Sequence, residues 1–156
     1  MAAPVNYQTL HQSPIEAPSK MSHRMPRDCI GLIRYQHASY NVYHATPRIV
    51  RLHLWAVPLF QLGNVAAITA PFLLLVPVST GVAVAVGVGG LVLSAISMAL
   101  QGRAHATEKI PNEPLEGPVN AIQRIFSEQW INFPRFVLEG GWRVAFEAEQ
   151  GSNKNK

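Results

Sequence analysis

The chain has 156 residues, enough for one domain; 48% are hydrophobic, only 14% are charged, and the formal net charge is +4. Soluble domains carry about 25% charged residues. The basic residues are scattered beside an apolar stretch and form no stripe with interleaved aromatics, which points to lipid headgroups and away from nucleic acid. The single cysteine, Cys29, excludes an internal disulfide.

Residues 1–27 are rich in Pro and Ser and lack a sustained apolar period, so they read as a disordered tail with no cleavable address. Its histidines, His11 and His23, are set aside. A helical domain is expected over residues 28–150. Its first helix runs from Cys29 to about His44, with Ile30, Ile33, His37, Tyr40 and His44 near one face at three- and four-residue steps. Thr46-Pro47 then opens a new helix, since Thr is a good N-cap and Pro loses no hydrogen bond at the first helical position.

That helix runs into a charge-free stretch. No Lys, Arg, Asp or Glu lies between Leu54 and Leu100, a run of about 47 residues and twice the ~20 needed for one membrane-spanning helix. Two spans are expected, over about 54–76 and 81–100, with bends at Pro58 and Pro71 and a turn at "PVST" and Gly81. In the second span Ala83, Gly87, Gly90, Ser94 and Ser97 recur at four- and three-residue steps, a small-residue stripe of the kind that lets membrane helices approach closely. Arg48 and Arg51 precede the hairpin and Arg103 and Lys109 follow it, while the turn has no charge, so both termini are expected on the cytoplasmic side of a bacterial inner membrane or an endoplasmic reticulum.

Beyond the Pro-rich connector "KIPNEPLEGP", the segment "VNAIQRIFSEQWINF" reads as an amphipathic helix with Ile122, Ile125, Phe126 and Trp130 on one side and Gln123, Arg124 and Glu128 on others. A further helix over "PRFVLEGGWRVAFEAE" and a mobile tail at 151–156 complete the chain. The fold class is all-α: a small helical membrane protein with a two-span hydrophobic hairpin plus flanking amphipathic helices.

The polar residues around the hairpin carry the chemistry. Continuing the small stripe forward in 100° steps puts Gln101, His105 and Glu108 on it, provided the helix passes Gly102, and Asn64 falls within about 20° of the line through His53. His44 and His53 cannot share a face of one straight helix, because nine residues make two and a half turns. The Thr-Pro restart lets His44 fold back toward His53. Imidazoles converging from separate segments with a carboxylate nearby fit a transition-metal site with open positions. Spacing alone leaves another reading open, in which the histidines sit amphipathically among headgroups and Glu108 pairs with Lys109 or Arg103. His37, two turns before His44, is either a fourth ligand or a partner to one. No Gly-x-Ser-x-Gly elbow or phosphate-cradling loop is present, since "GVGG" lies inside a span.

"YNVYHATPRIVRLHLWAVPLF" resembles the signature of the fungal 2-hydroxy fatty acid dioxygenases and their bacterial relatives, small membrane proteins in which Tyr-x3-His is followed nine residues later by a second His and then by Pro-Leu. Here these are Tyr40, His44, His53 and Pro58-Leu59. The second signature of that family is similar to "QGRAHATEKIP", with Gln101, His105, Glu108 and Pro111. Ile49 and Val57 depart from the family, which commonly has Asn and Gly at those places. "EQWINFPRFVLEGGW" looks like the bacterial members. The resemblance implies an Fe(II)-dependent dioxygenase that takes a long-chain 2-hydroxy fatty acid and O2 and releases an acid one carbon shorter. It implies iron ligands at His44, His53 and His105 with Glu108 as ligand or neighbour, and Tyr40 and Gln101 orienting the head group. Arg48 or Arg51 would pair with the substrate carboxylate, and Asn64 is grouped with them as substrate-binding. The competing expectation is a non-enzymatic membrane protein that binds lipid or supports assembly on the same scaffold.

Overall fold

The computed structural model describes residues 25–26, 28–108 and 113–154, with side chains described as far as Glu147. Among these residues the regular structure is helical and no strand occurs. The expected disordered tail, apart from Met25 and Pro26, lies outside the described residues, as do Lys109 and Pro111.

Helix α1 (Cys29–Ala38) starts where the Asp28 carboxylate accepts from the Gly31 N–H at 2.9 Å. It does not continue smoothly to His44. Ser39 breaks it, with φ −95° and ψ 1°, and a short α2 (Tyr40–Tyr43) follows. The Ser39 hydroxyl donates back to the Tyr35 carbonyl at 3.2 Å, the local competition that makes Ser a poor mid-helix residue. This break turns Tyr40 and His44 inward.

Helix α3 (Pro47–Thr69) begins at the Thr-Pro pair, with Thr46 as N-cap and Pro47 in the first turn, and it continues through Pro58. At Ala70–Leu75 the chain tightens into a 3-10 helix containing Pro71. After the turn, Ser79 caps α4 (Thr80–His105), which does pass Gly102. At 1.5 Å per residue the 23 and 26 residues of α3 and α4 span about 35 and 39 Å, longer than the ~30 Å hydrocarbon core of a bilayer.

The two helices pack along the small stripe. A Cβ on Gly90 would lie 2.5 Å from the Gly63 carbonyl oxygen, and one on Gly63 would lie 2.5 Å from Ser94 Oγ, so the backbones meet where no side chain fits. Ser97 donates to the Ala56 carbonyl at 2.6 Å, and Asn64 donates to the Phe60 carbonyl at 2.8 Å and to Ser94 Oγ at 3.1 Å. The opposite faces are bare: Trp55, Leu62, Ile68, Phe72, Val88 and Leu91 are all exposed. Only 22% and 17% of the most apolar stretches of the two helices are buried, which is unlike the core helix of a water-soluble domain. Two helices are therefore long and apolar enough to cross a membrane.

The remaining chain caps one end of the hairpin. Helix α5 (Pro118–Ser127) passes into a π-helix (Glu128–Asn132), then α6 (Phe133–Leu138) and α7 (Gly141–Lys154). Helix α7 takes in residues 151–154, for which a mobile tail is expected from composition. Gly140 between α6 and α7 has φ 78°, a left-handed turn suited to glycine. Tyr40, Val50, Val57, Phe133, Phe136 and Ala145 form the core of the cap. The amphipathic helix sits the other way round from a soluble one: Ile122, Phe126 and Trp130 face out, while Ser127, Gln129 and Asn132 are buried.

Candidate metal centre

Three elements bring the histidines together. His53 lies in the second turn of α3, His105 is the last residue of α4, and His44 follows α2, folded back over the hairpin end by the Ser39 break and the Thr46-Pro47 restart. The ring centroids stand 4.7 Å apart for His44 and His53, 5.2 Å for His44 and His105, and 4.9 Å for His53 and His105. The fourth member is Glu128, first residue of the π-helix. One ligand atom from each of the four residues lies within 4.8 Å of all the others, so the group could hold a single metal ion.

The local chemistry fits such an ion. His44 Nδ1 is 3.1 Å from the Tyr40 carbonyl and His53 Nδ1 is 3.0 Å from that of Ile49, each four residues back on the same helical turn. A carbonyl can only accept, so each Nδ1 carries the proton and each Nε2 presents a lone pair to the centre. His105 Nε2 is 3.2 Å from His53 Nε2. His44 Nε2 stands 3.6 Å and His53 Nε2 3.8 Å from Glu128 Oε1. Buried His44 Nε2 has no hydrogen-bond partner, a cost that a bound cation removes. Burial alone pushes the Glu128 carboxyl up, but the pull of the surrounding imidazoles, His44 foremost, outweighs it and holds the pKa below the usual range. The carboxylate is available.

Aromatic rings close the site against water. The Tyr40 ring stacks on His44 with centroids 3.9 Å apart and planes 4° from parallel, and Phe133 lies 5.8 Å from His53. Burial, with Glu128 adding to it, pushes the Tyr40 phenol well above its ordinary pKa, so it stays a neutral donor. A cavity of about 40 Å³ is lined by His44, His105 and Glu128 together with Tyr35, Tyr43, Glu113 and Arg124.

No family model, no curated protein and no solved structure matches the chain. The site therefore stands on geometry alone. That geometry brings together His44, His53 and His105 with Tyr40 against them, but moves several expected residues elsewhere. Glu108 is not in the cluster: its carboxylate accepts from the Thr46 hydroxyl at 2.7 Å, latching the end of α4 to the N-cap of α3. Gln101 is buried, and it donates to Ser97 Oγ at 3.1 Å and exchanges amide hydrogen bonds with Gln129 at 2.6 and 3.2 Å, so it ties α4 to the π-helix and presents no amide to the cavity. Asn64 belongs to the seam between the long helices, three turns away along α3.

Nor do the expected arginines line the cavity. Arg48 is exposed, and Arg51 lies over the Phe146 ring at 5.3 Å, toward α7. His37 is outside the cluster and pairs with Glu139 at 3.1 Å. The residue that spacing missed is Glu128. It sits 23 positions after His105 across a Pro-rich connector, and the only local hint was its place on the polar side of an amphipathic segment, four residues after Arg124.

Proposed function

We propose that the protein is a membrane-bound Fe(II)-dependent dioxygenase acting on long-chain 2-hydroxy fatty acids, shortening them by one carbon with O2. The observation that carries this reading is the meeting of His44, His53 and His105 with Glu128 at one end of an apolar helix pair. Nitrogen donors with one carboxylate suit iron among the first-row metals, and a site at a hairpin end suits a substrate with a polar head and a tail that lies in lipid. Bound iron would supply a redox-active centre with positions left for substrate and O2. Both termini would face the cytoplasm, with the histidines at that interface.

The chain's own residues prepare that centre. The Tyr40 and Ile49 carbonyls hold His44 and His53 in the tautomer that points Nε2 inward. Stacking by Tyr40 fixes the His44 plane, and Phe133 and Phe136 keep bulk water from the rings. Ile49 stands where the resembled family has Asn, but the group facing His53 is its backbone carbonyl, which the substitution leaves in place. The cavity admits a polar head group, and its size excludes the acyl chain, which has the exposed apolar faces of α3 and α4 to follow.

The test is purified protein in lipid discs with Fe(II), O2 and 2-hydroxypalmitate. Pentadecanoate formed by the wild type and lost in His53→Ala is the expected result. Iron bound without product would favour a lipid-binding or assembly role on the same scaffold, and a wild type that binds no metal would remove the reading altogether.

A further inference from the structure

We infer that Arg124 is the specificity-determining residue of this site, pairing with a carboxylate on a ligand whose neighbouring oxygen engages the histidine cluster. The inference rests on the metal reading above. The cavity lining combines two chemistries, the metal-competent His44, His105 and Glu128 and the group Arg124, Tyr35, Tyr43 and Glu113. Arg124 is the sole Arg or Lys among the lining residues.

Its guanidinium is held but not spent. Nη1 donates to the carbonyls of Glu113 and Pro114, both at 3.0 Å, and these bonds pin the group while leaving its other N–H donors for a ligand. One of the two lining carboxylates, Glu113, is engaged by the Tyr35 hydroxyl. Among the described residues no ion pair is formed by Arg124. A guanidinium beside a cavity without a carboxylate partner of its own is suited to take one from a ligand.

Charge balance agrees. Glu113 and Glu128 alone outweigh Arg124, so the lining side chains by themselves disfavour an anion. A divalent cation at the histidines reverses the sign and leaves one positive charge for an anion to meet. Spacing narrows the ligand further, because Arg124 and Glu128 are four residues apart and neighbours on one helical side, about 5–6 Å between Cβ atoms. A head group that bridges the two must be short. A carboxylate with an oxygen on the adjacent carbon has that reach, and an alcohol or ester does not satisfy the guanidinium.

The experiment measures binding, without turnover, to full-length protein in neutral phosphatidylcholine discs loaded with Fe(II) under argon. The probes are 2-hydroxyoctanoate and 1,2-octanediol, which share chain and hydroxyl and differ in the carboxylate. The wild type is expected to prefer the acid by about tenfold or more, Arg124→Gln to lose about tenfold of that preference, and Arg124→Lys to recover part of it. The acid-to-diol ratio does not depend on the fraction of protein that folds. An unchanged ratio in Arg124→Gln overturns the inference, and so does a wild type that binds both probes alike. Metal content is read on the same discs: an Arg124-dependent preference without metal keeps the pairing and sinks the metal centre, whereas metal without that preference does the reverse.

Discussion

The seam between α3 and α4 and the cap that covers one end of it both bury polar side chains and solve opposite problems. Along the seam every polar side chain closes on a neighbour: Ser97 on the Ala56 carbonyl, Ser94 on that of Gly90, Asn64 on Phe60 and Ser94. In the cap, buried polar atoms are left open, among them His44 Nε2, His105 Nδ1, Tyr40 Oη and Asn132 Oδ1. Buried polar groups are normally satisfied, so the seam is what stability alone produces. The cap keeps buried donors and acceptors without partners, and where these coincide with the histidine cluster a ligand is expected.

The largest effect should come from breaking the seam where backbones touch. Gly90→Leu places a side chain against the Gly63 carbonyl and the Ala67 amide. Overpacking costs about 1–3 kcal/mol where side chains can shift, and here the obstacle is backbone, so the loss should reach or exceed the top of that range. A thermal melt in detergent would show it, with metal lost only because the fold is lost. The cap predicts the reverse pattern. His53→Ala should cut bound metal by at least about tenfold while circular dichroism keeps its helical signal, since the change removes one of the four side chains that could hold the ion and leaves the helix backbone intact.

A sharper contrast separates two carboxylates. Glu128→Gln should weaken metal binding by about tenfold or more, whereas Glu108→Gln should leave it within about twofold and cost about 1 kcal/mol of stability through the Thr46 latch. Metal titration and melting of both variants would settle the assignment. If Glu108→Gln proved the more damaging to metal, Glu128 would lose its place. Gln129→Leu probes the support behind it: the change strands the Gln101 amide oxygen, costs about 1–3 kcal/mol, and should lower metal affinity several-fold by loosening the π-helix that carries Glu128.

These contrasts also explain what could be read from sequence. The hairpin was legible because its signals are local and periodic: the charge-free run, the Thr46-Pro47 cap, and small residues at helical steps that the structure places in the seam. The three histidines were legible for a related reason, since each lies within two turns of a helix end. Glu128 was not, because the path of the connector between His105 and Pro118 is not written in any short-range pattern. The π-helix adds to this. It turns each residue by less than the 100° of an α-helix, so extrapolating the face of α5 forward misplaces Gln129 and Asn132. The amphipathic reading found the stripe of Ile122, Ile125, Phe126 and Trp130 but not the way it faces: Ile122, Phe126 and Trp130 are exposed, an orientation suited to a helix lying against lipid.

The smallest expected effect falls on Asn64, which angular projection had grouped with the substrate-binding residues. Its amide reaches Phe60 and Ser94, partners that both keep other hydrogen bonds when it is removed: the Ser94 hydroxyl still donates to the Gly90 carbonyl at 3.0 Å. Asn64→Ala should therefore cost no more than about 1 kcal/mol, since interhelical hydrogen bonds in membranes average about 0.6 kcal/mol. It should leave both the iron content and the acid-to-diol preference unchanged, because about 16 Å of α3 separates it from His53. A loss of acid preference in this variant, with stability intact, would mean that substrate reaches deep along the seam and that the boundary between the two regions is drawn in the wrong place.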